Sequence, residues 1–323
     1  MKIGILGPGR MAGTMARTLQ RMEDMECVAV ASRNLSRAQE FAAEYGFAKA
    51  YGSYEELLAD PEIELVYIAT PHSHHFAQIT DCIKAGKAVL CEKAFTVNAK
   101  EAAEVRRLAK EHGVFVTEAI WTRYMPSRQI INEILASGVI GKITGLTANL
   151  CYPVTYKPRI LDPNLCGGAL LDVGIYGLNF ALMHFGNDIA KVDSSVRLAD
   201  TGVDAMETVT IHFADGKMAS ITAAIDCRSD RKGIFYGENG FIIVENINNP
   251  QSINVYDTSE NLIQHIDVPE QLSGYEYQLR ECAECLKEGR TESRSMPMDE
   301  TVFVMELMDS IRGQWGLVYP MEA

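Results

Sequence analysis

Gly7, Gly9 and Ala12 form a G-x-G-x-x-A pattern at the start of the chain. Such a pattern does its chemistry through the backbone. Gly7 permits a tight turn, Gly9 lets the chain approach a pyrophosphate, and Ala12 lets a following helix pack closely on the preceding strand. The helix N-terminus then faces the anion, with Arg10 and Met11 at the junction. Alone the pattern is weakly specific. Here it lies between a strand-like apolar run at 2–6 and an amphipathic stretch at 11–22, the context a dinucleotide site requires.

The end of the next strand selects between dinucleotides, because an acid there bonds the ribose 2′-hydroxyl of NAD. This chain reads Ala31-Ser32-Arg33-Asn34, with Arg37 one turn further on. Ser32 can donate to a 2′-phosphate, and Arg33 can pair with it and stack on adenine. The expected cofactor is therefore NADP, with NAD as the alternative. The competing reading is a surface arginine beside a helix cap.

Two further loops carry chemistry-bearing residues. Thr70, Pro71 and His72 follow an apolar run, and Ser73, His74 and His75 open the next helix. Glu92 and Lys93 follow another apolar run. Both loops are expected at the carboxyl ends of parallel strands, where open α/β sheets bind ligands, which assigns Thr70, Pro71, His72, His75, Glu92 and Lys93 to the cofactor. His72, His74 and His75 stand too close together for a good tridentate metal set, so no metal is expected. Cys282 and Cys285 form one CxxC with no further ligands near it, which favours core packing over zinc.

These loops imply the elements that position them. Strand-like runs at 2–6, 27–31, 65–69, 88–91 and 114–117 alternate with helical stretches at 11–22, 34–45, 76–85 and 99–112. That alternation predicts an N-terminal Rossmann doubly wound parallel sheet over 1–119. The pattern then changes. Helices are expected at 126–137, 167–185, 275–287 and 299–312. Strands are expected at 207–213, 218–224, 233–236, 240–244, 252–256 and 262–268, and Asp215-Gly216 marks a hairpin. Residues 120–323 read as an α+β domain with a largely antiparallel open sheet, assigned to substrate binding and oligomerisation.

Composition sets bounds on the partners. The 323 residues are 47% hydrophobic and 23% charged, as a packed globular chain requires. The net charge of -13 argues against nucleic acid. No signal peptide and no stretch of some 18 apolar residues is read, which gives a cytoplasmic chain without membrane contact. The eight cysteines show no secreted framework.

Taken together, the G-x-G-x-x-A start, Thr70-Pro71-x-x-x-His75 and Glu92-Lys93 resemble the Gfo/Idh/MocA oxidoreductases. Glu118-Ala-Ile-Trp-Thr-Arg-Tyr-Met-Pro126, Gly167-Gly-Ala-Leu-Leu-Asp-Val-Gly-Ile-Tyr176 and Tyr275 are similar to the dimeric dihydrodiol dehydrogenase branch. The resemblance covers essentially the whole chain. It implies NAD(P)-dependent oxidation of a secondary alcohol in a polyol, sugar or trans-dihydrodiol. It also implies Lys93 as a working residue, in a pair that normally continues with proline. Ala94 stands there instead, and alanine would very rarely supply a cis bond.

Asp172 and Tyr176 lie four apart and share a face of the expected helix. Periodicity alone makes Tyr176 a core residue and Asp172 a surface acid. With Lys93 and the resemblance, Tyr176 becomes the proton acceptor, its phenol pKa lowered by the lysine, and Asp172 orients Lys93 or the substrate hydroxyl. Trp121, Arg123, Tyr152 and Arg159 are candidates for the substrate pocket, each equally readable as a packing aromatic or a surface cation. Two other functions fit the fold: a non-catalytic NADP-binding regulator and an NAD-dependent glycoside hydrolase. An uncovered sheet face in the second domain, with the resemblance, points to a dimer or tetramer.

Overall fold

The computed structural model describes residues 1–323, which divide into two compact units. The first comprises Met1–Tyr124 and Gln271–Met305, the second Met125–Glu270 and Glu306–Ala323. A single cut at 119/120 therefore misses a return of the chain to its first unit.

In the first unit, six parallel strands are β1 (Lys2–Leu6), β2 (Glu26–Ala31), β3 (Lys49–Tyr51), β4 (Leu65–Ile68), β5 (Ala88–Glu92) and β6 (Val116–Ala119). Their order is β3-β2-β1-β4-β5-β6. The order reverses beside β1, the switch point where such sheets bind ligands. β4 and β5 are buried at every position, which explains their continuous apolar runs. The intervening helices are α1 (Arg10–Leu19), α2 (Leu35–Tyr45), α3 (Tyr54–Leu58), α4 (His72–Lys84) and α5 (Ala99–His112). Asn34 and Asn98 cap α2 and α5 by accepting from the Arg37 and Glu101 amides.

α8 (Glu276–Lys287) completes this unit. Its Leu279, Cys282 and Cys285 are fully buried in the core that holds Ile3, Ile5, Tyr67 and Leu90. The CxxC thus packs as two small hydrophobes, and burial pushes the Cys282 thiol well up.

The second unit is built on eight strands: β7 (Ile143–Cys151), β8 (Ile189–Leu198), β9 (Asp204–Phe213), β10 (Met218–Ala224), β11 (Gly233–Gly237), β12 (Gly240–Val244), β13 (Ser252–Asp257) and β14 (Leu262–Asp267). Their order is β14-β13-β12-β11-β7-β10-β9-β8, and only the β7–β10 pair is parallel. α6 (Pro126–Ala136) and α7 (Ile175–Phe185) belong here. α9 (Met298–Trp315) starts in the first unit and ends in the second.

The helix expected over 167–185 is not continuous. Leu170–Gly174 forms a π-helical turn, and α-helical geometry begins at Ile175. Contrary to the sequence reading, Pro163–Phe185 is long and apolar enough to cross a membrane. The structure uses it as a core helix instead: 94% of its most apolar window is buried.

Candidate active site

The candidate residues fall into two sets, one in each unit. In the first, Gly7 adopts φ 87 after β1, and a Cβ there would lie 2.7 Å from Thr70 Cγ2. Gly9 precedes α1, whose first turn has neither a side-chain cap nor an acid. Its leading amides are thus open to an anion. A Cβ on Gly9 would meet only Ala69 O, at 3.8 Å, so the backbone is approachable. Arg10 is exposed, Met11 half-buried, and Ala12 fully buried against the sheet.

At the end of β2, Ser32 is buried and its Oγ accepts from the Asn34 amide at 3.2 Å. Arg33 and Arg37 are exposed. Both act on the Tyr54 phenol, and Arg33 also acts on His74. Burial, reinforced by Arg33, holds the His74 imidazole below its ordinary range. His74, weighed from sequence only as a metal ligand, and Tyr54, not singled out, thus join the cationic cluster. Their neighbours Arg33 and Arg37 lie before and on α2, not beside them in the chain.

His75 lies between the Thr70 and Lys93 loops. Its ring is fully buried. Nε2 lies 2.9 Å from Thr70 O, and Nδ1 lies 2.9 Å from Ala94 O and 3.2 Å from Phe95 O. A neutral imidazole carries one N–H, so it can serve only one side at a time. Burial nevertheless keeps the ring neutral, pulling its pKa down to about 4. His75 was expected to contact the cofactor; both of its nitrogens are instead turned to backbone carbonyls, and it bonds to one of the two loops at a time. Thr70 donates to Gln78 Oε1 at 2.6 Å, Pro71 leads into α4, and His72 is buried. Glu92, also expected at the cofactor, is buried and accepts from the Tyr67 hydroxyl. The Lys93–Ala94 peptide is cis, contrary to the expectation for alanine.

Lys93 itself is half-buried. It is one of the charges acting on Glu118, a residue of β6 that the sequence reading left without a role. Glu118 is 1% exposed. Burial pushes its carboxyl up to about 7, against the opposing pull of Arg123, the Phe95 amide, the Thr301 hydroxyl and Lys93. Arg123 Nη1 pairs with Glu300 Oε2 at 2.9 Å, and its side chain is 2% exposed. Expected as a substrate contact, Arg123 is committed to an ion pair in which it is buried and Glu300 is 27% exposed. Trp121 is 5% exposed and stacks on Tyr275, centroids 4.3 Å apart and rings 11° from parallel.

In the second unit, Asp172 sits in the π-helical turn and Tyr176 in the first turn of α7. They are 8% and 9% exposed, so both are nearly enclosed. Arg159 Nη2 pairs with Asp172 Oδ1 at 3.0 Å. Tyr152 lies at the end of β7, with the Arg231 guanidinium 5.7 Å from its ring centre. π turns inside helices occur frequently at functional sites.

The oxidoreductase family described as having an NAD-binding Rossmann fold matches residues 1–120. The C-terminal domain of the same Gfo/Idh/MocA family matches residues 129–243. Trans-1,2-dihydrobenzene-1,2-diol dehydrogenase of Mus musculus is 34% identical, over 100% of this chain and 99% of its own length. That of Bos taurus is 35% identical with the same coverage. Among solved structures, a 3-ketoreductase from Actinomadura kijaniata with NADP and TDP-benzene superposes with a TM-score of 0.89 at 22% identity, covering 97% of each chain. An aldose-aldose oxidoreductase from Caulobacter crescentus gives 0.88 at 19% identity, covering 99% of each. These two likenesses establish the fold.

Proposed function

The chain belongs to the Gfo/Idh/MocA oxidoreductase family, and from that premise we propose that it is an NADP-dependent dehydrogenase of trans-dihydrodiols or of related polyols and sugars. Full-length similarity to trans-dihydrodiol dehydrogenases carries the substrate class. The cofactor reading rests on the end of β2, where Ser32, Arg33 and Arg37 stand and no acid does. The uncapped start of α1 suits the pyrophosphate.

Nicotinamide, when bound, would supply the hydride acceptor or donor. Tyr176 takes the alcohol proton in oxidation and returns it in reduction. Lys93 and Asp172 are assigned supporting roles in that proton step, as the family likeness implies. Trp121, Tyr152 and Arg159 are assigned to the substrate.

The test is oxidation of trans-dihydrodiols, polyols and aldoses with NADP and with NAD. NADP is expected to bind more tightly, and Arg33→Ala to weaken it by about 1–3 kcal/mol while sparing NAD. Tyr176→Phe and Lys93→Met should each lower turnover roughly 100- to 10,000-fold, and the double variant should be little worse, because coupled groups are non-additive. Near-normal turnover and an unchanged pH profile in Tyr176→Phe would remove Tyr176 from the proton step.

We also propose a homo-oligomer formed through the second unit. Leu262, Tyr256, Phe241, Tyr236 and Met218 lie in one cross-strand row of its sheet, joined through Gly145. Leu262, Tyr236 and Met218 are exposed, at 53%, 39% and 43%. An apolar row of this kind suits a twofold partner. Sedimentation at micromolar concentration should show a dimer or tetramer, and a monomer would reject the proposal. The eight free cysteines accord with a cytoplasmic location.

A further inference from the structure

Two acids on β9, Asp204 and Glu207, are almost completely buried, at 0% and 1% exposure. Neither contacts solvent, and neither has a part in the chemistry proposed above. Their surroundings show what they do hold. Asp204 Oδ2 accepts from the Leu170 amide at 2.5 Å, and the Ala169 amide also acts on this carboxylate. These amides open the segment that carries Asp172. Residue 168 is glycine, and a Cβ there would lie 2.0 Å from Asp204 Oδ1. At the far end of the turn residue 174 is also glycine, and a Cβ there would lie 2.3 Å from Glu207 Oε1. The two carboxyls thus bracket the π-helical turn Leu170–Gly174, one at each end, with Asp172 between them.

Burial without a counter-charge explains the form they take. It raises Asp204 to about 7, against the Leu170 and Ala169 amides and the more remote Arg312. It raises Glu207 well above the carboxylate range, and the Asp204 charge raises it further. Neither oxygen of Glu207 meets a hydrogen-bond partner in the protein. Arg312 is itself committed to Asp309 and Glu322. A buried polar group without a partner is costly, so its retention beside a glycine that makes room for it calls for a reason.

We propose that Asp204 and Glu207 are positioning residues, a clamp of two buried carboxyls that fixes the π-helical turn and so sets where Asp172 and Tyr176 point. Asp204 holds the start of the turn by its amides, and Glu207 fills the space that Gly174 leaves at its end. The proposal rests on the reading of Asp172 and Tyr176 as working residues only in its kinetic consequence; the clamp is a property of the second unit in any case.

The experiment uses the full-length protein and combines amide hydrogen exchange with steady-state kinetics. Asp204→Ala removes the acceptor, and Asp204→Asn keeps it. Exchange over residues 168–174 should quicken at least tenfold in Asp204→Ala and less in Asp204→Asn, with β10 and β11 unchanged. Turnover with NADP and a trans-dihydrodiol should fall about 10- to 100-fold in Asp204→Ala, the scale of a small displacement at a reacting centre, while NADP affinity holds. Gly174→Ala should do similar damage by colliding with Glu207. Gly174→Ala combined with Glu207→Ala should recover part of the loss, because the collision is gone. Intact exchange protection in both Asp204→Ala and Gly174→Ala overturns the clamp. Equal damage in Gly174→Ala and the paired variant overturns the role of Glu207. If exchange quickens but turnover does not change, the clamp stands and the assignment of Asp172 and Tyr176 fails. Should Asp204→Ala not fold, Asp204→Asn and the Gly174 pair still decide the matter.

Discussion

Arg123 and Arg159 make nearly the same contact, a single guanidinium nitrogen on a carboxylate oxygen at 2.9 and 3.0 Å. Their surroundings differ. Arg123 is 2% exposed, whereas Arg159 is 39% exposed. The first unit therefore anchors its loops with desolvated charge: Arg123 on Glu300, with Glu118 and Lys93 in the same field. The second carries its ion pair near water and rests the segment of Asp172 on the buried acids Asp204 and Glu207. Distance alone does not grade an ion pair. What decides is whether water can take over when one partner is removed.

The largest effect expected from this contrast is at Arg123. Arg123→Met keeps much of the side-chain volume but strands Glu300, and it removes the main charge opposing protonation of Glu118. Denaturant unfolding should show a loss of about 2–3 kcal/mol, because the buried guanidinium is lost while Glu300, 27% exposed, keeps some access to water. The Glu118 carboxyl should then be pushed further up. A loss below about 1 kcal/mol would show that the pair is hydrated in solution, and the contrast with Arg159 would collapse.

His75 comes next. His75→Phe preserves a ring in the core but removes the single N–H on which the Thr70 carbonyl or the Ala94 and Phe95 carbonyls draw. A cost of about 1–3 kcal/mol is expected. The variant should also lose a pH signature. The folded imidazole pKa is about 4, below its unfolded value, so the unfolded chain binds the extra proton between these values. Stability from this group is intact above about 6.5 and falls as the pH drops toward 4, by about 1.4 kcal/mol per pH unit. His75→Phe should flatten that limb. Turnover should fall, since one of the two loops that His75 lies between carries Lys93. An unchanged acid limb would mean that the ring is not buried as described.

Much of the first unit was legible because its elements obey local rules. The apolar runs of β1, β4 and β5, the glycine loop, and the asparagine caps of α2 and α5 each declare themselves within a few residues. The rest depended on distant partners. β3 has three residues and no periodicity to read. β8 buries none of its residues, so its pattern lacks an apolar side. α8 has an ordinary amphipathic sequence, and nothing in it says that Leu279 and Cys282 pack beside Ile3 rather than in the second unit. Arg123 looked like a substrate contact because Glu300 lies far along the chain. The glycines at 168 and 174 were visible; the buried acids they accommodate on β9 were not.

The smallest effect, and the sharpest test of the contrast, is at Arg159. Arg159→Met removes the ion pair to Asp172 but leaves the Leu170 amide on Asp204 and the packing of Gly174 against Glu207. The guanidinium is 39% exposed, so the space it vacates opens Asp172, whose side chain is 10% exposed, to water. The stability change should stay under about 1 kcal/mol, within the range of exposed pairs. Turnover should fall less than tenfold if Asp172 is held chiefly by the turn that bears it. A rise in KM without a matching fall in kcat would instead assign Arg159 to uniform binding of the substrate, as the sequence reading suggested. A drop in kcat as large as that of Tyr176→Phe would mean that Arg159 is what orients Asp172. The two arginines would then be equals despite their different exposure.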